Sequence, residues 1–220
     1  YASLRAPSLV TDLVDPVVHA RRWFTLATLC LSLLIIVMDN TILNVAIPSL
    51  VKELGATNSQ LQWIVDGYTL VFAGLLLTTG SLGDRFGRKL ALRVGIVIFA
   101  FGSVLSALAG SPSNLIMTRA LMGIGGALIM PSTLSILTNV FRDPSERAKA
   151  IGVWSASSGI AVAAGPIAGG WLLEHFWWGS VFLINIPILI IVVPFAIKVL
   201  PESRAEEPPP WNTTAVVLAG

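Results

Sequence analysis

Long apolar runs separated by short charged clusters dominate this chain. Residues 23–51 hold one formal charge, Asp39, and residues 61–83 hold only Asp66. Residues 94–118 hold none, but Gly110-Ser111-Pro112-Ser113-Asn114 interrupts the run, so one helix ends there and another begins. Residues 120–141, 150–173 and 175–197 also lack formal charge. A helix that crosses a bilayer needs about 20 mainly apolar residues. The pattern therefore predicts six spanning helices, near residues 23–50, 61–82, 90–109, 115–139, 150–173 and 179–199. The first is too long for the core of a cleaved leader and runs directly on toward the next span. Residues 201–210 are charged and then Pro-rich, which predicts a solvated linker. Residues 211–220, from Trp211, read as the severed start of a seventh span.

Composition settles the class. Of 220 residues, 55% are hydrophobic and only 12% charged, with a mean hydropathy of +0.80. Soluble domains carry about 25% charged residues. Disordered, collagen-like and disulfide-rich chains are excluded, and the single cysteine, Cys30, cannot form an internal bridge. The expected fold class is an all-α integral membrane protein. Every one of the fourteen lysines and arginines except Lys52 and Arg119 falls on one side of the predicted bundle. Positive charge marks the cytoplasmic side. Residues 1–22 are thus expected to be a cytoplasmic N-terminal segment, with residues 23–200 forming a multi-pass bundle in the cell membrane. On the same basis His19 is expected at the cytoplasmic surface, and the Asn212-Thr213-Thr214 sequon should be inert there.

Six spans suggest the 3+3 inverted repeat of secondary transporters, in which six helices are half of the protein. No letter-by-letter repeat is visible, so that expectation rests on count. The absent initiator Met and the interrupted seventh stretch point to a fragment whose partner is its own missing C-terminal half.

An ionisable residue deep in a membrane is costly and marks function by default. Asp39 lies near mid-membrane on a helical face shared with Ser32 and Ala46, flanked by Thr41 and Asn44. A carboxyl group there has two usable states: neutral with a proton, or charged beside a cation. Protonation can therefore exchange with binding of a cationic ligand. The alternative is a permanent structural pair with Arg119. Asp66 and Arg119 each lie about five residues from the outer ends of their helices, and at ~1.5 Å rise per residue their depths match better. An Asp66–Arg119 pair is thus open as well. Glu174 is expected at a solvated mouth, and His175 at the interface with Trp177 and Trp178, which fit an aromatic belt.

The fifth span has the strongest periodicity. Gly152, Ala156, Gly159, Ala163, Pro166 and Gly170 form one stripe of almost no side-chain volume, the kind that lets helices approach closely in lipid. Gly165-Pro166 permits bending. Static packing would explain the stripe, but its length and central kink favour a gate. Gly123-Ile124-Gly125-Gly126 follows no strand and lies inside an apolar span, so it is not a phosphate loop. No metal cluster or nucleophile triad is found in the sequence. Neither cofactor, enzymatic activity nor nucleic-acid partner is expected.

The loop Gly80-Ser81-Leu82-Gly83-Asp84-Arg85-Phe86-Gly87-Arg88-Lys89 resembles the signature loop of the major facilitator superfamily. Asp39-Asn40-Thr41-Ile42-Leu43-Asn44-Val45-Ala46-Ile47-Pro48 is similar to the first-helix motif of its fourteen-span drug–proton antiporters. Arg119 with Gly123, Gly125, Gly126 and Ala127 resembles the fourth-helix motif linked to proton transfer, although Met122 stands where glutamine is frequent. Gly159, Gly165, Pro166, Gly169 and Gly170 resemble the fifth-helix antiporter motif, and Phe182, Asn185 and Pro187 that subfamily's sixth helix. Trp63-Ile64-Val65-Asp66 and Ala127-Leu128-Ile129-Met130-Pro131 are most like pumps for quaternary ammonium compounds and cationic dyes. The motifs run in order through all six spans.

The resemblance implies an exporter of lipophilic, cationic drugs driven by the proton gradient. Asp39, Asp66 and Arg119 would handle protons and substrate cations. Gly80, Asp84, Arg85, Gly87, Arg88 and Lys89 would form a cytoplasmic gate loop, with Asp84 docking against a helix of the second half. The fifth-helix glycines would form the antiporter gate. Two other readings remain: an exporter of neutral drugs or natural products on the same fold, with Asp39 serving coupling only, and a non-transporting membrane sensor or structural subunit.

Overall fold

The computed structural model describes residues 16–200, all of whose regular elements are helices. The helices are α1 (Pro16–Leu54), α2 (Asn58–Phe86), α3 (Arg88–Ala107), α4 (Pro112–Val140), α5 (Pro144–His175), α6 (Ser180–Leu183) and α7 (Asn185–Lys198). Six stretches are long and apolar enough to cross a membrane, the last being Ser180–Lys198, which joins α6 and α7. Arg5, the side chain of His19, Arg204, the expected linker at 201–210, the stretch at 211–220 and its sequon lie outside the described residues.

Most helices outrun the apolar windows that predicted them, because capping groups extend them into polar surroundings. Thr57 caps α2 in a reciprocal box with Gln60. Ser111 accepts from the Asn114 amide before Pro112, and Asp143 accepts from the Glu146 amide before Pro144. Each proline stands where a helix start leaves its N–H without a partner in any case. The predicted sixth helix divides at Ile184. Pro187 has no N–H to give the Leu183 carbonyl, so the ladder breaks one turn upstream while the backbone at Ile184 stays helical, at φ −59° and ψ −26°.

The packing follows a pairwise scheme. α2 lies along α4 and α5 along α1; α3 packs on α4 and α6–α7 on α1; α1 and α4 meet at the centre. Exchanging α1, α2 and α3 for α4, α5 and α6–α7 maps this scheme onto itself, as a 3+3 repeat requires. The central helices are the buried ones: 61% and 56% of their spans are inside for α1 and α4, against 17% for α2 and for α5.

Glycines set the closest crossings. A Cβ on Gly95 would lie 2.8 Å from the Gly125 carbonyl oxygen, and one on Gly125 would lie 2.8 Å from the Phe99 nitrogen. On the opposite side of α4, a Cβ on Gly123 would lie 2.6 Å from the Tyr68 carbonyl oxygen. The Gly123–Gly126 run thus lets α4 thread between α2 and α3 with backbones almost touching.

Candidate functional site

Asp39 and Arg119 are both fully buried and joined in an ion pair, with Arg119 Nη1 donating to Asp39 Oδ2. The other guanidinium nitrogens are also engaged: Nη2 donates to Asn40 Oδ1 at 3.3 Å and Nε to the Ile64 carbonyl at 3.3 Å. The guanidinium lies over the Tyr68 ring, 4.4 Å from its centroid, with the Phe182 ring at 6.0 Å. The second carboxylate oxygen, Asp39 Oδ1, accepts from Asn185 Nδ2 at 3.1 Å, and the same amide nitrogen donates to Ser103 Oγ at 3.2 Å. Four spans therefore converge on one carboxylate: α1 carries it, α4 neutralises it, and α3 and α7 orient it.

Removing two charges from water costs several kcal/mol per ion, and mutual attraction offsets this only when the remaining lone pairs and protons are satisfied. Asn40, Asn185 and the Ile64 carbonyl supply hydrogen bonds here, and the Tyr68 ring a cation–π contact. The arrangement holds a carboxylate in an apolar interior while leaving it one proton-transfer step from neutrality. That step would release its tie to Arg119.

Asp66 is not the partner of Arg119, although depth favoured it. Arg119 does reach the corresponding level of α2, but it meets the carbonyl of Ile64. Asp66 stands two residues further, and positions i and i+2 of a helix do not share a face. Depth was right and azimuth decided otherwise. Asp66 is half-buried on α2.

The fifth-span stripe lies on an uncovered face of α5. Gly152, Ala156, Gly159, Ala163, Pro166 and Gly170 are all exposed, and a Cβ on Gly152, Gly159 or Gly170 would meet nothing within 4 Å. α5 packs on α1 through a different face. Gly165 and Gly169 are buried there, a Cβ on Gly165 would collide with Thr41, and one on Gly169 would lie 2.7 Å from Ile42 Cγ1. The four glycines and the proline of the antiporter-like motif thus divide between an inner packing face (Gly165, Gly169) and an outer, uncovered one (Gly159, Pro166, Gly170).

Between α2 and α3, Gly87 adopts φ +114°, a region open at little cost only to glycine. Asp84 Oδ1 pairs with Arg88, 2.8 Å from Nη2 and 2.9 Å from Nε. Lys89 Nζ donates to the Leu200 carbonyl at 2.6 Å, tying α3 to the end of α7. Gly83 is buried against Ala91, Gly80 lies near Pro131, and Arg85 is exposed. At the C-terminal end of α5 Glu174 and His175 are exposed, His175 stacking on Trp171. Trp178, expected in an aromatic belt, turns inward against Phe182 and is 7% exposed.

Asn185 and Ser103 drew no chemical role from the sequence. For Asn185 the available signals were its place in the sixth-helix resemblance and a carboxamide within the uncharged run at 175–197. Its partner could not be known before α7 was placed beside α1.

A family model described as Major Facilitator Superfamily matches residues 29–219. The chain is 45% identical over 199 residues to the multidrug efflux pump LfrA of Mycolicibacterium smegmatis, covering 90% of this chain and 40% of the relative. It is 41% identical over 198 residues to the methyl viologen resistance protein SmvA of Salmonella typhimurium, again covering 90% and 40%. It therefore spans well under half the length of these curated relatives. Among solved structures, a mutant of the peptide transporter POT in complex with sulfate aligns with a TM-score of 0.73 at 15% identity, over 88% of this chain and 42% of that one. That likeness speaks for the fold alone. The paired three-helix repeats, the ordered motifs along them and a family match over most of the length lead to one conclusion: this multi-pass membrane chain belongs to the Major Facilitator Superfamily.

Proposed function

We propose that this chain is the N-terminal half of a proton-coupled exporter of lipophilic, cationic drugs, embedded in the cytoplasmic membrane with its N-terminus inside. The observation that carries the reading is the fully buried Asp39–Arg119 pair, hydrogen-bonded by Asn40, Asn185 and the Ile64 carbonyl yet built around a group that can take a proton. The printed descriptions of the relatives, multidrug efflux and methyl viologen resistance, support export. The one-sided distribution of lysine and arginine supports the orientation.

In this mechanism a proton entering from outside neutralises Asp39 and frees Arg119. The central α1–α4 seam then relaxes, and the bundle exchanges one access state for the other. Proton loss toward the cytoplasm restores the pair. Asp66, half-buried on the less enclosed α2, offers a negative charge to a cationic substrate. The small-residue face of α5 meets the second half and gates the path, while Asp84 latches the cytoplasmic side.

Asp39→Asn keeps size and removes ionisation, so proton-driven efflux of ethidium from cells or vesicles should fall to background in the full-length protein. Near-normal efflux at normal expression would refute the coupling role. A second reading, export of neutral compounds, draws support from Arg119, which already balances the charge of Asp39. Under that reading Asp66→Asn leaves transport of every substrate unchanged. Under ours it weakens cation export selectively.

A further inference from the structure

The carboxamide of Asn185 is buried at 0% exposure, and its two polar atoms are treated very differently. Nδ2 donates both to Asp39 Oδ1 and to Ser103 Oγ, while Oδ1 is buried with no hydrogen-bond partner. A buried acceptor left unpaired is destabilising. Such an atom beside a carboxyl group that changes protonation state calls for an explanation.

The chemistry of the three groups supplies one. An amide nitrogen and an amide oxygen occupy almost the same volume, and a half-turn of the side chain exchanges them. In the present orientation Asn185 donates to a carboxylate and to a hydroxyl oxygen. After the half-turn Oδ1 would stand where Nδ2 stands now. It could then accept from the O–H of a protonated Asp39 and from the O–H of Ser103. Both neighbours can reverse: a carboxyl group accepts when ionised and donates when neutral, and a serine hydroxyl does either. One polar atom is orphaned in each orientation, so that cost cancels between the two states.

We propose that Asn185 is a positioning residue that turns with the protonation of Asp39, serving the ionised carboxylate in one orientation and the neutral acid in the other. The inference rests on the reading of Asp39 as the proton carrier. It adds the device by which protonation on α1 is felt at the α3–α7 seam, because Asn185 and Ser103 form a buried polar contact of that seam. Asn185 also follows directly on the break at Ile184, and it leads the helix that α1 and α3 both touch. The charged and titratable groups facing this site are Arg119 from α4 and Tyr68 from α2. α3 and α7 contribute Ser103 and Asn185, and α5 carries no formal charge within residues 150–173.

Infrared difference spectroscopy between high and low pH, on the full-length protein in lipid, reads both groups. A carboxylic-acid carbonyl band that disappears in Asp39→Asn identifies the proton on Asp39. Without such a band the proton-carrier reading falls, and this inference with it. With the band present, the wild type should also show a pH-linked shift of a side-chain amide band that is lost in Asn185→Leu. In Asn185→Leu, or in Asn185→Ala should Leu impair insertion, the Asp39 acid band should move to the position of an acid without a hydrogen-bond partner. Ethidium turnover in the same variant should fall about tenfold with KM within about threefold, the loss expected for one buried hydrogen bond to a charged group. An Asp39 band that stays in place, or an amide band that does not respond to pH, overturns the turning carboxamide while leaving the proton carrier intact.

Discussion

The α1–α4 seam and the outward faces of α2 and α5 are both parts of one small bundle, yet they are satisfied in opposite ways. At the seam an ion pair is enclosed by partners from four spans, and Asp39 and Arg119 are wholly out of reach of solvent or lipid. On α5, a face with almost no side-chain volume lies open, and its Gly159 has nothing within 4 Å of where a Cβ would be. The seam is complete within these residues, whereas the face is shaped for a neighbour. A buried charge cannot wait for a partner, because its desolvation cost falls on the fold that contains it. A stripe of glycine and alanine carries no such cost, so its contact can be made and broken repeatedly. Under the proposed function, coupling chemistry and gating would belong to different faces of the bundle.

The largest effect expected from testing this contrast comes from Arg119→Leu. It leaves Asp39 buried without its cation, which costs about 3–5 kcal/mol. Membrane abundance and thermal stability should collapse, and adding Asp39→Asn should recover much of both. Equal loss in the double variant would show that Arg119 stabilises the fold by packing rather than by charge.

Next come the two kinds of α5 glycine. Gly165→Leu drives a side chain into Thr41 and Ile42 and should destabilise the protein by about 1–3 kcal/mol, seen as a lowered Tm. Gly159→Leu should leave Tm nearly unchanged, within about 0.5 kcal/mol, while stopping efflux in the full-length protein. Normal efflux with Leu at Gly159 would erase the distinction between a packing face and a gating face.

Asp84→Asn should likewise change stability little. Its pair with Arg88 is 30% and 20% exposed and is worth about 0–1 kcal/mol. Stability should barely move, whereas a cysteine placed in the cytoplasmic cavity should become more reactive if Asp84 latches that side. Unchanged reactivity would reduce Asp84 to a local partner of Arg88.

Much of this was legible without coordinates. Spans follow from transfer energies summed over about 20 residues, a local property, so runs such as 23–51 and 120–141 marked their helices directly. Helix ends were less visible, because Thr57, Ser111 and Asp143 act through single hydrogen bonds rather than through hydropathy. Gly87 was legible as part of a motif, and its φ of +114° explains why no other residue serves there as well.

What the sequence by itself determined is the membrane class, the number of spans, the basic side and the identity of the costly intramembrane charges. Each depends on composition within one segment. Only the tertiary structure decided which charges meet. Asp39 rather than Asp66 pairs with Arg119, Asn185 completes the site from α7, and Gly165 packs while Gly159 remains bare. These outcomes depend on how each helix is rotated about its axis. Rotation is set by contacts between segments far apart in the chain, such as Gly95 with Gly125 and Gly123 with Tyr68, where a single Cβ would force the backbones apart.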